Sequence, residues 1–324
     1  MGELLLRQVR LVKAGTFPTE PRDVFIQAGQ LASLDSPVRS VASERVLECE
    51  GAWLFAGLTD LHVHLRDFEQ AYKETVGGGL RAAAIGGFTR VVAMPNTVPP
   101  LATAEIARKY LANRDECQPA PELLLLAAAS DAEGKLVDPA IWASSQVTGI
   151  SDDARPVVGL EGFESWLAKV RQAGYRFYCH LEDKSLSGQG VLDSSTSERF
   201  GVAGFTRLAE TKQAGELLAV AERTGAKVHI THVSCRETLE LIRQARGRGV
   251  DVTCEACPHH FTLSAEDIEP DRAQLYKMAP PLRTPDDVEA LVEGLADGTI
   301  DAIATDHAPH TAEEIGRASC RERV

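Results

Sequence analysis

The segment Gly57-Leu58-Thr59-Asp60-Leu61-His62-Val63-His64-Leu65-Arg66 alternates apolar and polar residues. This alternation predicts a β-strand, because side chains two residues apart in a strand project from the same face. The predicted polar face carries Asp60, His62, His64 and Arg66, and the opposite face carries Leu61, Val63 and Leu65. Two imidazoles placed in this way can bind one metal ion. A bare His-x-His is more often a pair of core or surface histidines, so the rest of the chain decides between the two interpretations.

The composition of the 324 residues is that of a folded protein with one large domain, or a large domain and a small companion. The formal charge is 34 − 47 = −13 and no basic block occurs, which argues against nucleic acid as a partner. The N-terminal apolar run is too short for a signal peptide, and the longest other run, Leu123 to Ala129, is too short to span a membrane. Seven cysteines without disulfide-type spacing favour a reducing compartment, so we expect a cytoplasmic protein with no membrane partner.

From Trp53 onward, strand-like and helix-like segments alternate. After a first strand that ends at residue 64, the predicted strands are 88–94, 122–128, 175–180, 227–233, 250–256 and 300–305, and the predicted helices are 73–85, 104–113, 161–173, 209–224, 236–246 and 285–295. Repeated βα units of this kind predict an α/β protein with a (β/α)8 TIM-type barrel. The alternative, a doubly wound sheet, usually carries a Gly-rich nucleotide turn after its first strand, and this sequence has none there.

The two ends of the chain differ from its centre. Residues 1–51 contain only short β-like pieces, such as 4–12 and 23–26, and we predict that they are the N-terminal part of a small β-sandwich domain that is only half present. Residues 52–314 form the predicted metal-dependent barrel, which we expect to be incomplete at its C-terminus. Residues 315–324 resemble a translated sequencing adaptor and are interpreted as a non-native tail; a short native basic tail is the alternative.

Titratable residues collect where the predicted strands end. These strand ends carry His62 and His64, Asp152 and Asp153, His180, His232, and Asp306 and His307. Active sites of (β/α)8 barrels lie at the C-terminal ends of the strands. One such residue is usually a satisfied polar side chain, but five strand ends with His or Asp indicate a metal site. Four His and two Asp exceed what one tetrahedral zinc needs, and they suit two ions that share a carboxylate and a hydroxide.

These groups are suited to hydrolysis of an amide-like bond. Two cations make hydroxide available at neutral pH, and a nearby Asp can take its proton and pass it to a leaving nitrogen. Arg66 lies on the predicted histidine face, where cations would repel it unless the substrate carries an anionic group, and Arg binds a carboxylate bidentately. A salt bridge from Arg66 to Asp67 or Glu69 is the alternative.

A second cluster, Cys254-Glu255-Ala256-Cys257-Pro258-His259-His260, has some features of a structural zinc site. It lacks a second Cys pair, and strand alternation from Cys254 would place the two thiols on opposite faces. We therefore interpret the cysteines as small buried hydrophobic residues and the histidines as groups that orient a loop.

The chain resembles the amidohydrolase superfamily and, within it, class I dihydroorotase. The resemblance covers nearly everything from Trp53 to Glu314. The matching stretches are 60–66 (DLHVHLR), 94–97 (MPNT), 151–153 (SDD), 180–183 (HLED), 229–234 (HITHVS), 258–260 (PHH), 280–283 (PPLR) and 304–310 (ATDHAPH). Together these stretches are highly specific, whereas His-x-His alone is not.

The resemblance implies a role for each site residue. Zinc, one or two ions per subunit, is held by His62, His64 and Asp306 in the more buried position and by His180 and His232 in the other, with Asp153 as the bridge. Asp306 is also the catalytic residue that shuttles the proton, and Asp60 orients the histidine pair. The substrate carboxylate is held by Arg66, Asn96 and His310.

The implied reaction interconverts N-carbamoyl-L-aspartate and (S)-dihydroorotate in pyrimidine biosynthesis, through attack of a metal-bridging hydroxide on the ring amide. A homo-oligomer and association with aspartate carbamoyltransferase are the implied partners. Two other functions stay open. An allantoinase- or hydantoinase-type cyclic amidase shares the metals but needs no Arg clamp, and a non-catalytic scaffold of the carbamoyltransferase typically lacks metal ligands that are all present here.

Three stretches depart from the family pattern. They are Asp67-Phe68-Glu69, where Glu-Pro-Gly or Asp-Pro-Gly is usual, Ala154, where Gly is usual, and Ala279, where Asn is usual. None of them is a predicted metal ligand. The family also continues past the final histidine, so we expect this fragment to fold poorly.

Overall fold

The computed structural model describes residues 3–12, 16–17, 20–32, 45–116, 120–143 and 145–315. The chain divides into two compact units, Met1–Gly57 and Leu58–Val324. The predicted tail, apart from Ile315, lies outside the described residues, as do the cysteines at 117 and 320. Within the described part, no helix is both long and apolar enough to cross a membrane.

The N-terminal unit is built on one β-sheet. Its strands are β1 (Leu4–Leu11), β2 (Arg22–Gln27), β3 (Gln30–Leu31), β4 (Val46–Glu48) and β5 (Trp53–Leu54). The central strand β1 pairs antiparallel with β2 and parallel with β4 and β5. Leu6, Val9 and Val24 form its buried core, against which Ile26 and Leu54 pack. The β-like pieces predicted at 4–12 and 23–26 are therefore confirmed as β1 and β2.

The C-terminal unit contains a nearly closed barrel of parallel strands. Its strands are β6 (Leu58–Val63), β7 (Phe88–Ala93), β8 (Glu122–Ala128), β9 (Val147–Ser151), β10 (Arg176–Cys179), β13 (Lys227–Ile230), β14 (Val252–Ala256) and β15 (Ala302–Ile303), while β11 (Leu192–Asp193) and β12 (Gly204–Phe205) form a separate pair. The barrel strands follow chain order, and a parallel bridge between Val63 and His307 joins the two edges. The predicted barrel is confirmed, and the doubly wound alternative, in which strand order reverses, is wrong.

Helices connect the strands and cover the outside of the barrel. They are α1 (Val76–Ile85), α2 (Ala104–Ala112), α3 (Phe163–Gln172), α4 (Lys184–Ser187), α5 (Ser194–Ser197), α6 (Leu208–Thr224), α7 (Arg236–Gly247), α8 (Pro258–Thr262) and α9 (Pro285–Ala296). In α3 the buried residues follow the i, i+3, i+4, i+7 spacing of a single helix face. They are Phe163, Trp166, Leu167 and Val170. This face belongs to the outer core, the large cluster of buried apolar residues that the helices and the barrel strands share, and Phe177 and Cys179 of β10 belong to it as well. The packing of α3 therefore anchors β10, the strand that ends at the site.

The strand β6 departs from the prediction. It ends at Val63, and its pairing with β7 shifts between Asp60 and Val63, which marks a β-bulge. As a result Leu61 packs with Val92 in an inner cluster, whereas Val63 joins the outer core. The prediction of one uniform apolar face is therefore wrong. Arg66 has a φ of 54°, so strand alternation does not reach it either.

Other boundaries differ from the prediction by a few residues, and β8 matches it. The helix α1 begins at Val76 rather than at residue 73, because the Thr75 hydroxyl accepts the Gly78 N–H at 3.1 Å and caps the helix there. The strand β9 is missing from the predicted strands because Gly149 weakens its pattern. This glycine is required by packing, since a Cβ would lie 2.8 Å from the ring of Tyr178.

Candidate active site

The C-terminal ends of the barrel strands converge on one pocket. Its lining consists of His64, Arg66, Asp153, Ala154, His180, Glu182, His232, Ala279, Asp306 and Ala308. His62 lies against these residues and is completely buried, with 0% of its surface exposed. The structure thus brings all six predicted metal-binding residues together, although they come from five different strand ends.

Two groups of metal-binding side chains meet at Asp153. The first ligand group is His62, His64 and Asp153, and the second ligand group is Asp153, His180 and His232. Within each group the ligand atoms lie within 4.8 Å of one another. Asp153 Oδ2 lies 3.2 Å from His62 Nε2 and 3.7 Å from His232 Nε2. Asp306 Oδ1 lies 2.9 Å from His64 Nε2. A carboxylate shared by two histidine pairs suits two adjacent cations.

Three of the four histidines are oriented through the ring nitrogen that points away from Asp153. His62 Nδ1 is 2.8 Å from Glu255 Oε1, His64 Nδ1 is 2.8 Å from Asn96 Oδ1, and His180 Nε2 is 3.0 Å from Glu182 Oε2. Carboxylate and amide oxygens accept, so these three nitrogens carry a hydrogen, and in the neutral imidazoles the opposite nitrogens present a lone pair. Imidazoles in this tautomer, together with carboxylates, fit the donor set of Zn²⁺.

Two further buried carboxylates hold the backbone at the histidines. Asp60 Oδ1 accepts the His62 N–H at 3.1 Å, and Asp152 Oδ1 accepts the His180 N–H at 2.8 Å. Asp60 Oδ2 also accepts the Thr305 hydroxyl at 2.5 Å, which ties β6 to the segment after β15. Asp60 therefore orients His62, one of the histidine pair, through the backbone rather than through an imidazole ring.

The carboxylates of the site differ in charge state. Burial works to raise the pKa values of Asp153 and Asp306, but the neighbouring imidazoles outweigh it and hold both below their usual range. Both carboxylates are therefore ionised at neutral pH. At Asp152 burial dominates and raises the pKa to about 7, against hydrogen bonds from the backbone N–H groups of Val157 and His180.

Arg66 reaches the pocket from the loop after β6. Its Nε donates to the Pro309 carbonyl at 3.2 Å, and its Nη2 lies 3.3 Å from His310 Nε2. Lys73 Nζ lies on the other side of the same ring, 3.4 Å from His310 Nδ1. Burial and then the charges of Arg66 and Lys73 lower the pKa of His310, which keeps the imidazole neutral. Two cations and a neutral imidazole thus lie together beside the ligand groups, and the Glu314 carboxylate pairs with one of the cations, Lys73, at 3.1 Å.

Asn96 lies between the two predicted metal ligands His64 and Asp153. Its Oδ1 accepts from His64, and its Nδ2 donates to Asp153 Oδ1 at 3.2 Å. The amide therefore positions both residues, and its contact with a substrate stays a prediction. Asp67, one alternative partner for Arg66, instead accepts the N–H groups of Phe68 and Val76 at 2.6 and 3.2 Å.

The second sequence cluster is divided by the structure. Cys254 belongs to the outer core, whereas Cys257, His259 and His260 lie together. His260 Nε2 donates to the Pro280 carbonyl at 3.0 Å and so connects two loops, which agrees with the loop-orienting interpretation. The structural-zinc interpretation loses its Cys-x-x-Cys pair, because the first thiol is elsewhere.

Comparisons with known proteins agree on one family. The family model for dihydro-orotase-like proteins matches residues 51–238. A dihydroorotase from Anaeromyxobacter dehalogenans (strain 2CP-C) is 40% identical over 297 residues, which are 90% of this chain and 68% of that protein. A dihydroorotase from Trichlorobacter lovleyi is 36% identical over 314 residues, which are 96% of this chain and 73% of that protein. The chain belongs to the dihydroorotase family.

Solved structures of hydantoinases share the fold of this dihydroorotase-family chain. L-Hydantoinase (dihydropyrimidinase) from Arthrobacter aurescens superimposes with a TM-score of 0.80 at 22% identity, over 98% of this chain and 72% of that one. At this identity the likeness shows the fold alone. The predicted family and the predicted TIM-type barrel are therefore both confirmed.

Sequence reasoning missed three buried groups of this dihydroorotase-family site, namely Glu182, His229 and Glu255. Burial raises the pKa of Glu255, but hydrogen bonds from His229 and His62 outweigh it and lower the pKa to about 2. A signal for Glu255 was available, because it is the one acidic residue in the otherwise uncharged strand 252–256 and a buried charge needs partners. Glu182 also had a local signal, because it stands two residues after its partner His180, whereas the partners of His229 lie on the neighbouring strand.

Proposed function

We propose that this protein catalyses the zinc-dependent interconversion of N-carbamoyl-L-aspartate and (S)-dihydroorotate, the dihydroorotase step of pyrimidine biosynthesis. The observation that carries the proposal is Asp153, which two histidine pairs share in a pocket that Arg66 also lines. Membership of the dihydroorotase family supports it. Zinc, as one or two ions, is proposed because the donor set consists of imidazole nitrogens and carboxylate oxygens.

Bound cations would polarise the ring carbonyl and lower the pKa of a water placed between them. The chain supplies the proton transfers. Asp306 is ionised, lines the pocket and lies beside His64, so it can accept a proton from the attacking water. The water oxygen bonds to the carbonyl carbon, the ring C–N bond breaks, and Asp306 returns the proton to the leaving nitrogen. Ring closure runs through the same steps in reverse.

Arg66 is the proposed partner of the substrate carboxylate. Arg66 is 7% exposed as a residue, and a buried cation of this kind is stabilised by an anion. The hydrogen-bond partners of Arg66 described above, a carbonyl and a neutral imidazole, are both uncharged, so a substrate carboxylate would supply the missing charge through bidentate contacts. His310 and Asn96 are the proposed further contacts, one beside the guanidinium and one beside His64.

The proton role is tested with Asp306→Asn. Because the amide keeps the shape but cannot accept the proton, we expect ring opening of dihydroorotate to fall at least about 1000-fold while much of the metal stays bound. The measurements are initial rates and metal content on the same samples. Turnover close to wild type would contradict the role of Asp306.

The substrate is tested with dihydroorotate, hydantoin and allantoin on the wild-type protein and on Arg66→Lys. Because this substitution replaces a planar guanidinium, which binds a carboxylate through two hydrogen bonds, with a single ammonium group, we expect a raised KM for dihydroorotate with little change in kcat. An unchanged KM would contradict the proposed role of Arg66 in binding the substrate carboxylate. Preference of the wild type for an uncharged ring would favour an allantoinase- or hydantoinase-type activity. Purified protein without any bound metal would instead favour the non-catalytic scaffold.

The remaining proposals concern the surroundings of the site. On the family resemblance we propose a cytoplasmic homo-oligomer that can associate with aspartate carbamoyltransferase. We also propose the division into residues 1–51 as part of a small β-domain, 52–314 as the barrel and 315–324 as a non-native tail.

A further inference from the structure

The barrel interior behind His62 contains a line of buried polar side chains. Thr253 and Glu255 project inward from β14, while the residues between and beside them join the outer core. His229 projects inward from the neighbouring strand β13. Glu255 is 0% exposed and His229 is 3% exposed. Burying a carboxylate at such a depth destabilises the fold unless hydrogen-bond donors surround it. The buried position of Glu255 therefore requires an explanation.

Hydrogen bonds connect these side chains to the first ligand group. Glu255 Oε1 lies 2.8 Å from His62 Nδ1, and Glu255 Oε2 lies 3.2 Å from His229 Nε2. His229 Nδ1 lies 2.8 Å from Thr253 Oγ1. Both oxygens of the carboxylate are therefore engaged by imidazoles, and one of these imidazoles belongs to a proposed metal ligand.

The chemistry of the groups fixes the direction of every bond. An ionised carboxylate only accepts, so His62 Nδ1 and His229 Nε2 both carry hydrogens and donate to Glu255. His229 Nδ1 is then the acceptor, and the Thr253 hydroxyl donates to it. When the His62 imidazole is neutral, Glu255 thereby holds it in the tautomer whose Nε2 lone pair faces Asp153, as a metal ligand requires.

The end of the line that is farthest from His62 is anchored at the N-terminal ends of the strands. Arg176 Nη1 lies 3.5 Å from Thr253 Oγ1 and 2.8 Å from the Val228 carbonyl, while its Nη2 pairs with Asp251 at 2.8 Å. The hydroxyl of Thr253 thus faces a cation and turns its hydrogen towards His229. Each hydrogen bond between Arg176 and Glu255 is therefore donated in the same direction, towards Glu255.

We propose that Glu255, held in place by His229, is a positioning residue that fixes the ring and the tautomer of His62 for metal binding. The inference rests on the proposed function, because it concerns a ligand of the proposed metal site. A carboxylate behind a histidine also makes the opposite nitrogen a better donor to a cation, and loss of such a partner typically weakens metal binding by about 10- to 100-fold.

The test compares Glu255→Gln with Glu210→Gln. Glu210 is a matched control, because it is an equally buried carboxylate, 2% exposed, that accepts the Thr238 hydroxyl at 2.8 Å and touches no proposed ligand. Zn²⁺ affinity is measured by competition with a chromophoric chelator, and the Co²⁺-loaded proteins are compared by visible absorption. Melting temperatures of the metal-free proteins report folding separately.

We expect Glu255→Gln to weaken binding of one Zn²⁺ by about 10- to 100-fold and to change the Co²⁺ spectrum, with Glu210→Gln like wild type in both. His229→Gln should weaken binding less, and combining it with Glu255→Gln should add little, because His229 acts through Glu255. The inference is overturned if Glu255→Gln binds Zn²⁺ within about twofold of wild type, or if Glu210→Gln loses as much affinity. A wild-type protein that binds neither Zn²⁺ nor Co²⁺ would refute the proposed function itself.

Discussion

The first ligand group takes both histidines from one strand, whereas the second takes them from two. His62 lies in β6 and His64 directly follows it, while His180 and His232 follow β10 and β13. Behind the first group stands a carboxylate, Glu255, that is 0% exposed. The carboxylate behind the second group, that of Glu182, is 2% exposed and lines the pocket itself.

This difference teaches how rigid each group is. His62 is fixed three times, by the backbone bond to Asp60, by the ring bond to Glu255 and by the close packing of a fully buried side chain. In the second group His180 has two comparable bonds, to Asp152 and Glu182, whereas His232 follows its strand at a φ of 31°. Ligands held in place before binding lose less conformational freedom. We therefore expect the first group to hold its cation more tightly.

The largest effect should come from the residue that both groups share. Asp153→Asn keeps the size of the side chain but removes the bridging charge, so we expect loss of both cations and a fall in kcat of at least about 1000-fold. Metal analysis and initial rates check this, with the exposed Asp271→Asn as the control. A variant that keeps two ions would show that the groups bind independently of Asp153.

A smaller effect should separate the two groups from each other. We expect a chelator to remove metal from the wild-type protein in two phases whose rates differ by at least about tenfold. This ratio corresponds to a difference of about 1.4 kcal/mol in the activation free energy of metal release. His180→Asn should abolish the fast phase and His62→Asn the slow one. Stopped-flow measurement of chelator absorbance follows both phases. Release in a single phase from the wild type would contradict the comparison.

The smallest effect should appear where the barrel closes beside the first group. The His307 carbonyl accepts the His64 N–H at 2.7 Å, and the His307 ring lies 3.1 Å from the Glu74 carboxylate. The hydrogen bond that His307 donates to Glu74 raises the pKa of His307, against the effect of burial. This pair therefore stabilises the fold fully below about pH 6.5, the ordinary pKa of His, and the stabilisation is lost as the pH rises through the raised pKa.

Glu74→Gln tests this closure. The imidazole is 39% exposed, so solvent screens the pair and it contributes less than about 1 kcal/mol, or a melting temperature lowered by about 2 °C or less. We expect that loss near pH 5.5 and almost none near pH 9, with the exposed Glu69→Gln as the control. Equal losses at both pH values would mean that the charge of His307 plays no part.

Much of the site could be predicted because a parallel barrel brings its strand ends together whatever the details of packing. His180, His232 and Asp306 each follow a recognisable strand, so their meeting required only the fold class. Arg66 was assigned to the pocket for a reason that the structure does not support. It reaches the pocket through a loop at a positive φ and not through strand alternation, and no local pattern announces such a loop.

The pairing of Glu255 and Asn96 with the first two histidines could not be predicted, because these partners are far from them in the chain. Glu255 is 193 positions from His62 and meets it only after the barrel has formed. In the sequence His229 resembles any polar residue in a strand, and its role depends on which of its two ring nitrogens faces the Glu255 carboxylate. Asn96 was assigned a substrate contact, yet its amide is already engaged by two predicted ligands.

By itself the sequence determined the barrel and the collection of imidazoles and carboxylates at one end of it, because periodicity and strand ends are local properties. Only the tertiary structure decided which way each group in His62-Val63-His64 faces and which ring nitrogen is free to bind a cation. The reason is that a bulge of one residue in β6 changes the face of every side chain beyond it, and a tautomer is fixed by a partner on another strand.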